Sequence, residues 1–496
     1  MKTFRLVLIL FILCGSIFTG CSNTPEGINE PAGSTGGLPD APAGTDAAAA
    51  AASAEYAEKV EKLLADLQSG DKNKISVAVI ELGKLKEKQA VEPLIELLSL
   101  DDFYVRGYII DALGQIKDER AIEPLSVFLE GGRFCRAAAK AIGTIGGEKA
   151  VLVLTDAFQG DDYDYLSGIA EGLAATGSPQ AEQLLIDALN DKGNHEYLRR
   201  SVAEALGAFK DETAVKALIA IFTDYKVTGN TAETASSALK GSVSSALKAI
   251  GAGAVQPLLD KLNELTASPD NSYTKNEILG SVIHLLGSLG DRRAAGPLIA
   301  ILKDKGNYYR RGDAADALGM IKDPEALQPL IDAFNESLAL VHLGEKELAK
   351  QSQYNALFSS CTRALGLLGG DRAISLLVTT SYDGDEQIRM QMIGVLCDMS
   401  HPLITERFNQ ALEEEDIPVI ASACYYFIYL GEPGSEPLLI KALEEYGNAG
   451  MLNGYLNCGN QQLEDAARTW AKNNNYGIIS MPALPGNSST QWGAGQ

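Results

Sequence analysis

Apolar residues recur along most of this chain at a helical spacing, and the spacing pattern itself recurs. Val105, Ile109, Ala112 and Leu113 fall on one face of a predicted helix, and Ile122, Leu125, Phe128 and Leu129 on one face of the next. Both sets keep the 3.6-residue period of an amphipathic α-helix. Between them stands Asp118, a residue type suited to a helix N-cap, and Asp211, Asp323 and Ser178 hold the same place elsewhere. Pro179 and Pro324 directly follow two of these caps, at the first helical position. Pro93, Pro124, Pro257, Pro297, Pro329 and Pro437 are expected in or near the first turn of the second helix, where a missing N–H costs least.

The stretch Ile110–Leu125 returns, with small changes, as Glu204–Leu218 and as Asp316–Leu330. A unit of about 31 residues repeated in this way predicts a solenoid, because neither helix buries its apolar face alone and stacking makes the core. Small residues punctuate the units at Gly83, Gly114, Gly143, Ala174, Gly207, Gly287, Gly319 and Gly366; Lys248, Cys397 and Phe427 hold the place in the others. The expected fold is all-α, an α-solenoid or superhelix of about eleven two-helix repeats over 55–475. Tyr56–Leu67 reads as a starting cap helix, with Tyr56, Val60, Leu63, Leu64 and Leu67 on its inner face. Leu463–Lys472 reads as a closing helix packed through Trp470. Three connections are predicted to be long loops on one edge: Tyr225–Ala235, Thr266–Asn276 and Ser337–Gln353.

The repeated pattern, Arg-x-x-Ala/Ile-x-x-Ala-Leu-Gly followed by Asp-x-x-Ala-x-x-Pro-Leu, resembles the HEAT-like repeats first described in phycobilisome lyases. It extends from about Ile75 to Glu445. The resemblance implies a fold more than an activity, since that superfamily includes lyases, hydroxylases, scaffolds and adaptors.

The N-terminus departs from the repeat. Lys2 and Arg5 precede an apolar run, Leu6–Leu13, that is short for a transmembrane helix and suits a secretory signal over 1–20. Phe18-Thr19-Gly20-Cys21 follows. A small residue before Cys after such a run resembles the lipobox of bacterial lipoproteins, although Phe18 stands where that family has Leu. The resemblance implies cleavage before Cys21 and acylation of its sulfur. Ser22, in place of the Asp that retains such proteins at the inner membrane, points to the outer membrane. Residues 21–54 then read as a lipidated, flexible Pro/Gly/Ala linker, and 476–496 as a disordered tail.

The formal charge of −23 repels nucleic acid and anionic headgroups, and no basic stripe reverses it. The chain has seven Cys and no CxxC pair. With Cys14 in the signal and Cys21 acylated, Cys135, Cys361, Cys397, Cys424 and Cys458 are read as small buried helix residues; Cys397 and Cys424 lie in adjacent repeats and are the one pair placed to bridge. Asp161, Asp162 and Asp164 read as a solvated helix start, because the spaced ligands of a Ca²⁺ loop are missing. No HExxH, GxSxG or Walker loop occurs, and of the four His only His195-Glu196 forms the His-Glu pair a di-iron hydroxylase repeats. No catalytic residue, metal ligand or cofactor is therefore predicted.

One constellation remains. Tyr104/Arg106, Tyr197/Arg199 and Tyr309/Arg311 place Tyr two residues before Arg at one repeat position, and Arg389 matches the Arg alone. Two readings follow: an internal ladder in which the Arg heads meet Asp118, Asp211 and Asp323, or a partner-binding ridge for an acidic peptide or a glycan. The functional expectation is a lipid-anchored binding or scaffold protein of the bacterial envelope, facing periplasm or surface, with a protein partner, a membrane contact through the anchor and no nucleic acid. The alternative is an envelope enzyme or enzyme accessory, which two or more His or carboxylates converging in one pocket would favour.

Overall fold

A computed structural model of the chain describes residues 45–478 except 161, 225–232, 269–271, 307, 345–347, 400, 414–416 and 432–433. The signal, Cys21, most of the linker and the tail beyond 478 lie outside the described residues. The chain divides into two compact units, Met1–Lys59 and Val60–Gln496.

Every regular element among the described residues is helical, and the fold is an all-α solenoid. Eleven units of two helices run through the second unit. Their first helices, here called A, are Lys72–Leu85, Phe103–Ile116, Cys135–Ile145, Tyr163–Thr176, Glu196–Leu206, Glu233–Ile250, Tyr273–Leu289, Tyr308–Ile321, Leu348–Leu368, Glu386–Cys397 and Ile417–Leu430. Each is followed by a B helix, from Val91–Leu97 in the first unit to Glu436–Tyr446 in the last. A packs on the A of the next unit and on the B helix that precedes it, and in about half the units on its own B as well. The predicted faces are the buried ones: Val105, Ile109, Ala112, Leu113, Ile122, Leu125 and Leu129 are almost wholly covered, with Phe128 half-buried. Helices Ala449–Leu456 and Gln461–Asn473 close the array, with Leu463, Ala467 and Ala471 buried and Trp470 packed against the core.

The punctuating glycines act on the A-to-A contact. A Cβ on Gly83 would lie 2.9 Å from Ala112 of the next A helix, on Gly114 2.9 Å from Ala141, on Gly287 2.6 Å from Ala317 and on Gly319 2.7 Å from Ala364. The small pair recurs because two helix backbones meet there with no room for a side chain.

The turn from A to B is also a repeated device. Lys86, Lys117, Lys210 and Lys322 sit at φ of 54–60°, and Gly177 and Gly290 hold the same place at 62° and 69°. The next residue caps the following helix. Asp118 accepts from the Arg120 amide, Asp211 from Thr213 and Ala214, Asp323 from Glu325 and Ser178 from Gln180. Asp118 and Asp323 cap a short 3-10 turn that leads into B. Pro179 and Pro324 occupy first-turn positions as expected, whereas Pro257 stands inside Ala252–Ala267.

Several expectations change. The first helix begins at Thr45, inside the segment read as linker, because the Ala47–Ala52 run has the highest helix propensity of any residue. Tyr56 is exposed instead of inward. Two of the three long loops shrink. Helices Ala252–Ala267 and Tyr273–Leu289 leave 268–272 between them, and Leu327–Leu343 and Leu348–Leu368 take up most of Ser337–Gln353. Thr266 and Ser337, read as loop starts, bond back to helical carbonyls: Thr266 to Leu262 at 3.0 Å and Ser337 to Phe334 at 2.9 Å. Such bonds let a polar side chain continue a helix. The third segment, Tyr225–Ala235, lies partly outside the described residues.

The five Cys of the folded part are free thiols. Cys135, Cys361, Cys424 and Cys458 are buried and Cys397 is partly so. Burial pushes Cys135 up to about 11 and Cys397 and Cys424 up to about 12. Cys424 accepts a hydrogen bond from the Tyr455 hydroxyl at 3.2 Å instead of pairing with Cys397.

Candidate functional site

The repeated Arg is held by backbone. Arg106 donates from Nε to the Leu98 carbonyl at 3.0 Å and from Nη2 to Leu100 at 2.8 Å. Arg199 Nε reaches Leu189 at 2.8 Å, Arg311 Nε reaches Leu302 at 2.7 Å, and Arg389 Nη1 reaches Asp383 at 2.7 Å and Gly384 at 2.9 Å. All these carbonyls end or follow the preceding B helix. A helix end leaves four carbonyls without partners and carries the negative end of the helix dipole. The first turn of the next A helix brings a guanidinium to it. The expected pairing with the turn aspartates is not what forms; Asp118, for example, binds Arg120 at 2.9 Å. Arg311 is 2% exposed and also grips Glu336 with two bonds, 3.2 and 2.8 Å. Burial alone would raise Glu336, but the bonds and charge of Arg311 and the charge of Lys305 hold it below the usual carboxylate range.

Two of the Tyr members point the other way. Tyr104 is 73% exposed and Tyr197 40%. Tyr309 stands in Tyr308–Ile321, but its ring lies outside the described residues. The spacing brings Tyr and Arg to one helix end without making them one site, since the Arg closes the fold and the ring faces solvent.

The rings have company that the Tyr-x-Arg spacing did not reveal. Phe103 opens its A helix beside Tyr104, Phe134 immediately precedes the next, Tyr163 opens the one after, and His195 caps the fourth. Phe103, Tyr163 and His195 are exposed and Phe134 is half-buried. Phe103 and Phe134 bridge two units with centroids 5.1 Å apart, and Tyr163 stacks on His195 at 4.1 Å and 17°. Arg133 lies 5.7 Å from the Phe103 ring and Arg106 5.5 Å from Phe134. Asp162, Tyr163, Asp164, His195 and Tyr197 line an open depression of about 570 Å³. Asp162 caps the helix start read there, accepting from Asp164 and Tyr165. The missed signal is an aromatic residue in or next to the first turn of successive A helices, whatever follows it.

A second depression, about 530 Å³, lies across three A helices. Lys240, Gly241 and Ser244 come from one, Glu277, Gly280, Ser281 and His284 from the next, and Arg310 and Asp313 from the third. Arg310 pairs with Asp313 at 2.6 Å and lies across Gly280, where a Cβ would strike its Nη1. Burial raises Asp313 against the pull of Arg310, and burial lowers Lys240 against the charges of Asp224 and Glu277. No group of three His, Cys, Asp or Glu among the described residues is placed to hold a metal ion.

A further perturbed carboxyl sits between B helices. Glu182 is 6% exposed, and burial followed by the adjacent Asp211 carboxyl raises it to about 7.

The model of HEAT repeats matches this chain at residues 60–133, 167–240 and 274–341. The chain thus carries HEAT repeats, as the repeat pattern implied. Among solved structures it is similar to importin beta at 15% identity, over 87% of this chain and 72% of that one, with a TM-score of 0.39. It is also similar to human deoxyhypusine hydroxylase at 18% identity, over 57% and 97%, with a TM-score of 0.23. Yeast importin-beta (Kap95p) matches at 14% identity over 84% and 61%, with a TM-score of 0.32. No curated protein matches the chain.

Proposed function

We propose that this protein is a lipid-anchored binding or scaffold protein of the bacterial cell envelope, which engages a protein partner through the edge formed by the starts of its A helices. HEAT-repeat solenoids are a fold typical of protein-interaction scaffolds. The observation that carries the reading is the row of rings at Phe103, Tyr104, Phe134, Tyr163, His195 and Tyr197. Large rings left in water at equivalent places of four consecutive units are costly unless something covers them. The anchor rests on Phe18-Thr19-Gly20-Cys21 behind the Leu6–Leu13 run, and no helix among the described residues is long and apolar enough to cross a membrane. Two or more acyl chains hold a protein far more firmly than one. An outer-membrane address, facing periplasm or surface, follows from Ser22.

Labelled palmitate fed to cells tests the anchor. The wild-type chain should take up label and sediment with outer membranes, and Cys21→Ala should do neither. A wild-type chain that takes up no label ends the lipoprotein reading.

The charged depression favours a second reading, an envelope enzyme or enzyme accessory. Glu277, His284 and Asp313 converge there with Lys240 and Arg310, and desolvated groups of both signs in one hollow are a mark of functional sites. A polar small-molecule screen by thermal shift, with Arg310→Met as control, would select this reading if a hit depended on Arg310.

A further inference from the structure

We infer that the depression across the sixth, seventh and eighth A helices binds a free α-amino acid, with its carboxylate at Lys240 and Ser244 and its ammonium at Glu277. The inference rests on the hollow that carries the second reading above, but it requires no turnover and draws nothing from the ring edge or the anchor.

Three observations lead there. The first is a departure from the repeat on the wall of the hollow. Arg106, Arg199, Arg311 and Arg389 each stand eight residues before the anchor position of their units, at Gly114, Gly207, Gly319 and Cys397. Lys240 stands eight residues before Lys248 and so holds the same place in the sixth unit. The guanidiniums are engaged by the end of the preceding B helix, whereas Lys240 lines the hollow. Its ammonium is a compact point charge that suits a carboxylate. Ser244, one turn further on, lines the same hollow, and its hydroxyl has no hydrogen-bond partner among the described residues.

The second is a stretch of bare backbone. Gly241 stands inside Glu233–Ile250, next to Lys240, and a Cβ on it would meet nothing within 4 Å. Packing therefore does not require glycine there, and glycine weakens a helix interior. Gly280 on the next helix differs, because Arg310 lies across it. Gly241 leaves cleared space on the wall of a hollow of about 530 Å³, a volume usual for small-molecule sites. Phe222 is the one apolar side chain on that lining among the described residues, so a hydrophobic guest has little to gain.

The third is the order of charge. Lys240 and Arg310 share the lining with Glu277 and Asp313. Arg310 and Asp313 answer each other at 2.6 Å. Burial sets the shifts of Lys240 and Asp313, and the charge of Glu277 acts on both. Glu277 thus stands between the ammonium of one helix and the ion pair of the other, and its carboxylate makes no hydrogen bond or ion pair among the described residues. A plain anion drawn to Lys240 meets Glu277, and a plain cation drawn to Glu277 meets Lys240. A molecule with a carboxylate and an ammonium on one carbon satisfies both with charge-assisted bonds.

Isothermal titration calorimetry with the full chain tests this. The probes are the common L-amino acids, each alone, and, for any that binds, its N-acetyl and carboxamide derivatives. The expected result is saturable binding of at least one amino acid, weakened about ten-fold or more in both derivatives, since each loses one charged contact. Lys240→Met and Glu277→Gln should each weaken it by a similar factor. Gly241→Leu fills the cleared space and should abolish binding, with a melting temperature equal to or above that of wild type, since leucine favours a helix more than glycine does. The derivatives are compared on the wild-type chain, so that result stands even where a variant unfolds. An N-acetyl derivative that binds as tightly as its parent would reduce the hollow to an anion site and overturn the inference. An equally tight carboxamide would reduce it to a cation site, with the same consequence. Binding that survives Gly241→Leu, or no amino-acid binding at all, would also overturn it. A screening hit that depends on Arg310 but is not an amino acid would keep the second reading and end this one.

Discussion

Arg311 and Glu182 occupy the same fold with opposite electrostatic outcomes. Arg311 is buried with its charge matched by Glu336 and a helix-end carbonyl. Truncation by Arg311→Ala leaves Glu336 and the Leu302 carbonyl without it and should cost about 3–5 kcal/mol by urea unfolding, the range for a broken buried pair. Glu182 is buried beside another carboxyl and is raised to about 7. A raised acid holds its proton in the folded state after the unfolded chain has released it, so stability should fall as pH rises from about 4.5 to about 7. Glu182→Gln fixes the neutral form. It should be nearly neutral at pH 4.5 and should stabilise by about 1–3 kcal/mol at pH 8, read as melting temperatures that coincide at the lower pH and separate at the higher. The sequence showed the repeated Arg but not its partner, because the partner is a backbone carbonyl and carbonyls have no letter. It showed the Tyr only where an Arg followed, and so missed Phe103, Phe134 and Tyr163.

Helices were the most legible level. The apolar period, the Asp and Ser caps and, except for Pro257, the first-turn prolines appear where the pattern put them, since all are set by neighbours within a few residues. The errors came from reading polarity as loop. Ser337 and Thr266 are polar, but their hydroxyls bond along the helix, and the helices run on. Two substitutions test the devices between helices. Lys322 stands at φ 56°, where a side chain costs about 1–2 kcal/mol. Lys322→Gly should therefore raise stability, by about 1 kcal/mol or less after the entropy of Gly in the unfolded chain is counted. Gly287→Val forces branched carbon into the Ala317 backbone and should lower stability by about 1–3 kcal/mol or more. Equal melting temperatures for Gly287→Val and wild type would refute the close A-to-A contact.

At the level of the whole chain the repeat fixed the architecture, and it also hid the charged depression. Lys240, Glu277 and Arg310 come from three successive units, so no local motif announces them; only stacking brings them together. The same stacking confines damage. Leu125 is fully buried, and Leu125→Ala should cost about 2–5 kcal/mol. Hydrogen exchange should quicken in the flanking units and stay unchanged in distant ones.

The guanidiniums that close four of the B helices belong to the next sequence repeat. The repeat visible in the letters and the module that is chemically complete are thus out of phase by one helix. A fragment cut at the end of a written repeat, such as one ending at Asn194, leaves the Leu189 carbonyl without Arg199. A fragment extended through Gly207 keeps it. The longer piece should melt higher by more than its added length explains, and Arg199→Ala within it should remove most of that excess. Whoever splices, shortens or grafts this array should cut after an A helix, half a period later than the sequence suggests.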